Sequence, residues 1–149
     1  MTYSEILDQV KKMVDQNESD ILKKTCQLLY DELPHYNWVG FYFMNDKERM
    51  LEIGPYVGAE TDHTRIPYGK GICGQVAESG DTFLVDDVER ESNYLACSIE
   101  TRSEIVVPIH RKGKLIGQID IDSHVVRAFG PEDEGMLKDI GALLAPFCP

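Results

Sequence analysis

Residues 93–108 read Asn-Tyr-Leu-Ala-Cys-Ser-Ile-Glu-Thr-Arg-Ser-Glu-Ile-Val-Val-Pro. The β-branched run at 105–107, closed by a proline, predicts a buried strand. Cys97 lies in the polar segment that leads to this strand, and Glu104 lies where the strand enters the core. A second thiol, Cys73, occurs 24 residues earlier in a glycine-rich turn. The stretch therefore predicts a reactive thiol, Cys97, beside a core strand, with the rest of the fold built around it.

The composition limits the classes of function. The chain has 149 residues, enough for one domain with its own core, and its 26 acidic and 15 basic residues give a net charge of -11. This charge repels phosphates, so we expect neither nucleic acid nor a membrane surface as a partner. Its apolar runs fall far short of the ~20 residues of a membrane span, and the N-terminus lacks a signal-peptide pattern. We therefore expect a cytoplasmic protein whose four cysteines are buried, catalytic or metal-binding thiols.

Apolar residues at helical spacing predict helices at both ends of the chain. The first covers residues 2–16, and the second follows a cap at Asn17 or Ser19. Cys26 lies on the apolar stripe of this second helix, so we interpret it as a small core residue. A last helix is predicted to begin at Gly130 and the proline that follows it.

Between the helices the pattern predicts an antiparallel sheet of five or six strands. The predicted strands are 37–44, 50–53, 82–85, 104–110 and 115–122, with a break at Gly54–Pro55, a loop over 55–68 and a polar connection over 86–103. Alternation places Trp38, Gly40 and Tyr42 on one face of the first strand. Asp120 and Asp122 likewise share a face of the last strand. The predicted fold class is α+β, with the N- and C-terminal helices packed on one face of the sheet, in a single domain spanning residues 1–149.

Residues 69–74, Gly-Lys-Gly-Ile-Cys-Gly, match the letters of the dinucleotide motif G-x-G-x-x-G. No buried strand is predicted before them, so we retain only a tight turn entering a helix that ends at Ser79. Cys73 lies at the start of this helix, whose positive end favours a thiolate. A metal site of His63, Cys73 and Cys97 is possible in residue type, but the spacing matches no compact zinc pattern and no metal is expected.

Several of these residues also have a purely structural interpretation. Acidic residues on a strand face often only meet water, which would account for Asp120 and Asp122. An aromatic pair on one strand face, here Trp38 and Tyr42, is more typical of a core than of a ligand cage. Cys148, next to the last residue, is expected to be exposed and without a role.

Five blocks of sequence together resemble the free methionine-(R)-sulfoxide reductases, a family of small stand-alone GAF-domain enzymes. In the family's order and spacing, the blocks are Tyr36–Tyr42, Gly69–Gly74, Leu95–Cys97, Ser103–Pro108 and Ile119–Ser123. The resemblance implies a GAF fold and the reduction of free methionine-(R)-sulfoxide to methionine during oxidative stress. It further implies that no cofactor is needed, that thioredoxin is the external reductant, and that the protein is a homodimer.

The resemblance also implies roles for individual residues. Cys97 matches the cysteine that attacks the sulfoxide, and Cys73 matches a second thiol of the redox cycle. The substrate-binding aromatic and acidic positions of the family are matched by Trp38, Tyr42, Glu104, Asp120 and Asp122. His63 stands where the family often has a third cysteine, which leaves open which thiol resolves the oxidised Cys97.

The implied chemistry suits these residue types. A thiolate that attacks the sulfoxide sulfur becomes a sulfenic acid, and a second thiol converts it to a disulfide that a dithiol can reduce. A buried carboxylate requires a cation, which the ammonium of a free amino acid provides and a peptide-bound residue does not. Which carboxylate donates the proton stays open. The alternative function is a non-catalytic GAF module that binds a small ligand as a sensor, without consuming thiols.

Overall fold

A six-stranded antiparallel sheet is the centre of the computed structural model, which describes residues 1–91, 94 and 100–149. The helices are α1 (Tyr3–Asp15), α2 (Ile21–Glu32), α3 (Gly71–Ser79) and α4 (Pro131–Leu144). The strands are β1 (Trp38–Asn45), β2 (Met50–Val57), β3 (Arg65–Pro67), β4 (Phe83–Val85), β5 (Ser103–Arg111) and β6 (Lys114–Ser123). Their order in the sheet is β3-β2-β1-β6-β5-β4. The predicted α+β class is confirmed, and no helix within the described ranges is long and apolar enough to cross a membrane.

Each face of the sheet carries its own apolar cluster. On one face α1, α2 and α4 pack over Val39, Phe41 and Ile119. On the other face α3 packs over a second cluster that includes Trp38 and Tyr42. The alternation predicted along β1 is therefore confirmed, as is the packing of the terminal helices on one face. The second cluster lies between the sheet and α3, and this is the layer that contains the predicted site residues.

The start of α2 differs from the prediction. Its N-cap is Asp20, which has a left-handed backbone with φ 52° and makes no side-chain capping hydrogen bond. Asn17, one of the two predicted caps, is itself left-handed with φ 49°. The short connection must reverse the chain between two helices, and these left-handed residues make that turn. Cys26 is fully buried, as predicted, and its thiol donates to the carbonyl of Pro55 at 3.6 Å.

The predicted break of β2 at Gly54 and Pro55 is wrong, because the strand continues to Val57. Opposite these residues, the register of β1 shifts between Gly40 and Tyr42. Two residues of β2 therefore face one residue of β1, which is a β-bulge. A proline is tolerated at a bulge because the ladder does not require its missing N–H there.

Two segments predicted as loops contain regular structure. The segment 55–68 includes the end of β2 and all of β3, which pairs with β2 at the edge of the sheet. The polar connection over 86–103 contains a 3-10 turn at Val88–Arg90 and the first residue of β5, Ser103. These short pieces are held by pairing with neighbours, so they show no periodicity of their own.

A buried carboxylate, Asp133, fixes the start of α4. It accepts hydrogen bonds from the hydroxyls of Tyr3 and Tyr36, both at 2.7 Å, and from the Gly130 N–H at 2.9 Å. His35 Nε2 lies 3.2 Å from the same carboxylate. Burial by itself raises the pKa of Asp133, but the hydrogen bonds from these four residues outweigh burial and lower the pKa overall. The carboxylate thus links α1, α4 and the residues before β1.

We expect Asp133→Asn to lower the free energy of unfolding at pH 7 by about 2–3 kcal/mol, because an amide cannot replace the carboxylate as an acceptor for all these donors. The pKa of Asp133 is lower in the folded state. Its stabilisation is therefore present above the unfolded pKa and is lost as the pH falls through the folded pKa. Urea unfolding at pH 7 and about pH 3 measures the effect.

The matched control for this substitution is Asp139→Asn, at an exposed position of the same helix, which should leave the unfolding free energy within about 0.5 kcal/mol. The difference between wild type and Asp133→Asn should shrink on acidification. A difference of the same size at both pH values would show that the charge of Asp133 is not what stabilises the fold.

Candidate active site

Three adjacent strands bring predicted site residues together by their register. Asp122 on β6 pairs with Trp38 on β1 and with Glu104 on β5. Asp120, two residues earlier on β6, pairs with Gly40 on β1. Residues that pair directly across strands point to the same face of the sheet. Trp38, Glu104 and the two aspartates therefore face α3 together, although they are remote in sequence.

Gly40 makes room for the aromatic side of this site. A Cβ atom at Gly40 would lie 2.5 Å from the indole ring of Trp38 and 2.8 Å from the Cβ of Tyr56. The absence of a side chain lets the indole lie across β1, stacked 5.2 Å from the Tyr56 ring and 6.4 Å from the Tyr42 ring. Trp38 and Tyr42 are almost completely buried, as the core interpretation predicts. Their contact with a ligand stays a prediction.

Cys73, Glu104, Asp120 and Asp122 form a buried group that we name the thiol–acid cluster. The thiol of Cys73 donates to Asp120, with 3.3 Å between Sγ and Oδ2, and lies 4.0 Å from Glu104 Oε2. The four side chains belong to residues that are at most 5% exposed. The interpretation that Asp120 and Asp122 only meet water is wrong, because α3 covers their face of the sheet.

Cys73 lies in the first turn of α3, as predicted. The helix begins at Gly71, whose left-handed φ of 65° lets the chain turn sharply into the helix. The sulfur points at two carboxylates, and their negative charge opposes a thiolate there. The positive end of the helix thus favours a thiolate at Cys73, whereas the two carboxylates oppose it. The predicted thiolate stays a prediction.

Three residues that the sequence analysis did not single out border the cluster. Thr101 donates to Asp122 at 3.5 Å, and Gln118 Nε2 donates to the carbonyl of Cys73 at 3.1 Å, which ties α3 to β6. Burial raises the pKa of Tyr94, and the cluster's three carboxylates raise it further, so they lie near this phenol. Gln118 could have been found from the alternation of β6. Thr101 and Tyr94 lie in the polar connection, where no periodicity indicates a neighbour.

Cys26 and Cys148 lie on the opposite face of the sheet, under the terminal helices. Cys148 is only 6% exposed, so the prediction that it is exposed is wrong. Arg111 Nη1 donates to the carbonyl of Cys148 at 2.8 Å and to that of Ala145 at 3.2 Å, which holds the chain end against the core. Burial raises the pKa of the Cys26 thiol to about 12 and that of Cys148 to about 11. Both thiols are therefore neutral at pH 7, and the sheet separates them from Cys73.

Known proteins are similar to this chain in sequence and in fold. A profile described as the GAF domain matches residues 15–147. A protein of Escherichia coli named free methionine-R-sulfoxide reductase is 38% identical over 123 residues, which cover 83% of this chain and 73% of that protein. The chain belongs to the free methionine-R-sulfoxide reductase family. The resemblance of the five sequence blocks is thereby confirmed.

Two solved structures of free methionine-R-sulfoxide reductases, both in complex with substrate, share the fold. The protein of Neisseria meningitidis is 35% identical with a TM-score of 0.90, over 97% of this chain and 86% of that one. The protein of Staphylococcus aureus is 33% identical with a TM-score of 0.84, over 97% of this chain and 94% of that one. The predicted GAF fold is thereby confirmed, while the single domain over residues 1–149 stays a prediction.

In this member of the free methionine-R-sulfoxide reductase family, the predicted nucleophile Cys97 lies outside the described residues. Described residues before and after Cys97 lie at the site. Tyr94 is close to the three carboxylates, and Thr101 contacts Asp122. The approach of Cys97 to the thiol–acid cluster stays a prediction.

Trp38 and Tyr42 of β1 also hold the connection between β2 and β3, residues 58–64. Trp38 Nε1 donates to the carbonyl of Ala59 at 2.9 Å, and the Tyr42 hydroxyl donates to the carbonyl of His63 at 2.8 Å. His63 is half-buried, and its backbone is held against the side chain of Tyr42. The position where the reductase family often has a third cysteine therefore lies beside the aromatic side of the site.

Tyr42→Phe keeps the buried ring and removes only the hydroxyl that binds the carbonyl of His63. We expect amide hydrogen exchange over residues 58–64 to accelerate by about fivefold, because one such hydrogen bond contributes about 1 kcal/mol to local closing. Exchange measured by mass spectrometry on peptides of this segment tests the expectation. The control is Tyr68→Phe, whose hydroxyl binds Asp46 instead. Unchanged exchange in Tyr42→Phe would show that the hydroxyl does not hold the connection.

Proposed function

We propose that this protein reduces free methionine-(R)-sulfoxide to methionine. The observation that carries the proposal is the register of β1, β6 and β5, which lines up Trp38, Asp122 and Glu104 on one buried face in a chain of the reductase family. Relatives that carry the reductase name have been solved in complex with their substrate. The activity of those relatives and the composition of this site support the same reaction.

The substrate's amino-acid head would bind the carboxylates of the thiol–acid cluster. A buried carboxylate is stable beside a cation, and the free amino acid supplies its ammonium for this purpose. Trp38 and Tyr42 offer apolar ring surface for the methyl-sulfoxide end. A methionine sulfoxide within a peptide lacks the ammonium, so its binding would leave buried negative charge uncompensated, at a cost of several kcal/mol. The site therefore selects the free amino acid.

Cys97 is the proposed nucleophile. Its thiolate attacks the sulfoxide sulfur while one of the cluster's carboxyl groups protonates the oxygen. The resulting hydroxyl then transfers to the Cys97 sulfur: the S–O bond of the substrate breaks, a new S–O bond forms, methionine leaves and Cys97 becomes a sulfenic acid. The thiol of Cys73 then attacks that sulfenic sulfur, forms a disulfide and releases water. A thioredoxin-type dithiol reduces the disulfide by exchange and regenerates both thiols.

The assignment of Cys73 as the resolving thiol is supported by the positions of the other cysteines. Among the described residues, Cys73 is the cysteine on the face of the sheet that carries the carboxylates. Cys26 and Cys148 lie on the opposite face and have raised pKa values. His63 cannot form that disulfide, because its imidazole carries no sulfur.

An epimer-resolved assay tests the proposed function. NADPH consumption coupled through thioredoxin should be seen with free methionine-(R)-sulfoxide and be absent with the S epimer. N-acetylation of the R epimer removes the ammonium and should abolish the reaction. Equal rates with both epimers, or no turnover with the R epimer, would overturn the proposal. Ligand binding without turnover would instead support the alternative function, a non-catalytic GAF sensor module.

We also propose the surroundings in which the reaction takes place: the cytoplasm under oxidative stress, with thioredoxin as the reductant and the protein as a homodimer. Light scattering after size exclusion measures the oligomeric state, and a mass of one chain would exclude the dimer. Replacing thioredoxin by glutathione in the coupled assay should slow turnover, because a dithiol reduces a buried disulfide faster than a monothiol does.

A further inference from the structure

We propose that the reduced protein binds a thiophilic divalent cation, such as Zn²⁺ or Cd²⁺, through Cys73, Glu104 and Asp120. The metal site considered from the sequence combined His63 with cysteines. The structure instead groups the sulfur of Cys73 with two carboxylates from the neighbouring strands β5 and β6.

The ligand atoms already have nearly the spacing that a metal requires. One ligand atom from each of the three residues lies within 4.8 Å of the others. The Sγ of Cys73 lies 3.3 Å from Asp120 Oδ2 and 4.0 Å from Glu104 Oε2. A tetrahedral zinc ion with ordinary Zn–S and Zn–O bond lengths requires about 3.5 Å between sulfur and oxygen ligands. Both distances are thus within about half an ångström of that spacing.

The ligands are held by elements that cannot move independently. Glu104 and Asp120 lie on paired strands in the middle of the sheet, and Cys73 lies in the first turn of α3. Gln118 ties that turn to β6 by donating its amide N–H to the carbonyl of Cys73. A ligand set held in this way loses little conformational entropy when it binds an ion.

Gln118 supplies a second and independent indication of a ligand. It is completely buried, and its Oε1 has no hydrogen-bond partner among residues 1–91, 94 and 100–149. Gln118 lies two residues before Asp120 on the same face of β6, and its Nε2 lies 3.1 Å from the carbonyl of Cys73, so this side chain lies beside two of the three proposed ligand residues. A buried acceptor without a partner is costly, and a water bound to the cation would satisfy it.

The charge of the cation reverses the effect of the carboxylates on the thiol. Without a cation, Glu104 and Asp120 oppose a negative charge on Cys73. With M²⁺ present, the Cys73 thiol loses its proton to solvent and forms an M–S bond, and both carboxylates become ligands of the same ion. A sulfur ligand selects Zn²⁺ or Cd²⁺ over Mg²⁺ or Ca²⁺. Oxidation of Cys73 would remove the sulfur ligand, so binding is specific to the reduced protein.

A bound cation would also inhibit the reductase, and this consequence rests on the proposed function. It would occupy the carboxylates that bind the substrate's ammonium and hold the thiol that resolves Cys97. We expect inhibition that is competitive with substrate and reversed by a chelator.

Cd²⁺ titration of the reduced, metal-free protein tests the site directly, because a cadmium–thiolate bond has its own ultraviolet absorption band. We expect wild type to bind one Cd²⁺ per chain. The affinity for Cd²⁺ should fall by at least about 100-fold in Cys73→Ser and by at least about tenfold in Asp120→Asn, comparable to losses on removing metal ligands or their partners. Cys26→Ser and Cys148→Ser, on the other face of the sheet, are controls that should bind like wild type. Circular dichroism verifies that each variant is folded.

The outcomes separate the metal site from the reductase. Equal Cd²⁺ affinity in wild type and Cys73→Ser, or displacement of Cd²⁺ by an equal concentration of Mg²⁺, would overturn the site. Turnover of the R epimer without Cd²⁺ binding would overturn the site and leave the proposed function intact. Binding without inhibition would support the site and overturn only the inhibition.

Discussion

Replacing Cys97 with serine is expected to abolish turnover of free methionine-(R)-sulfoxide, with a loss of at least about 10³-fold in kcat. A serine hydroxyl remains protonated at neutral pH and is a much poorer nucleophile toward the sulfoxide sulfur than a thiolate is. It also cannot form the sulfenic acid from which the disulfide is made. Thioredoxin-coupled NADPH consumption measures the loss.

Cys26→Ser is the matched control for Cys97→Ser. The hydroxyl can still donate to the carbonyl of Pro55, as the thiol of Cys26 does, so the variant should fold and keep wild-type kcat. Wild-type turnover in Cys97→Ser would show that another group attacks the sulfoxide. Loss of activity in both variants would point to disruption of the fold instead.

Cys73→Ser is expected to release about one equivalent of methionine per chain and then to stop, with a steady-state rate at least about 100-fold below that of wild type. Cys97 can still attack the substrate in this variant, so the first turnover survives. The sulfenic acid that forms then lacks the thiol that condenses with it. Rapid-quench analysis of methionine resolves the burst, and mass spectrometry after trapping with dimedone detects the sulfenic acid.

Cys148→Ser is the control for the resolving step, because Cys148 is a buried thiol under the terminal helices, on the other face of the sheet. It should show neither a burst that stops nor a trapped sulfenic acid. Full multiple turnover in Cys73→Ser would overturn the role of Cys73 and would show that a thiol from outside the chain resolves Cys97.

Much of the fold could be predicted from local patterns. Period-two alternation placed Trp38 and Tyr42 on one face of β1, and Asp120 and Asp122 on one face of β6, where the structure has them. Helical spacing likewise placed Cys26 in the core. These predictions succeeded because the direction of a side chain within a helix or a strand depends only on its position along that element.

The predictions that failed concern contacts between distant segments. Gly54 and Pro55 predicted the end of β2, but the strand continues through them because they form a β-bulge in the pairing with β1. The position of Cys148 next to the chain end suggested exposure, but Arg111 holds the chain end against the core. Carboxylates on a strand face suggested solvent, but α3 covers Asp120 and Asp122. None of these partners can be recognised in the neighbouring sequence.

Local sequence therefore decided where most of the helices and strands lie and which face each of their side chains takes, and the five sequence blocks identified the family. The tertiary structure alone decided the strand register that aligns Trp38, Asp122 and Glu104, and the packing of α3 that brings Cys73 within 3.3 Å of Asp120. The reason is physical: backbone geometry acts over a few neighbouring residues, whereas register and layer packing are set by contacts between residues far apart in the chain.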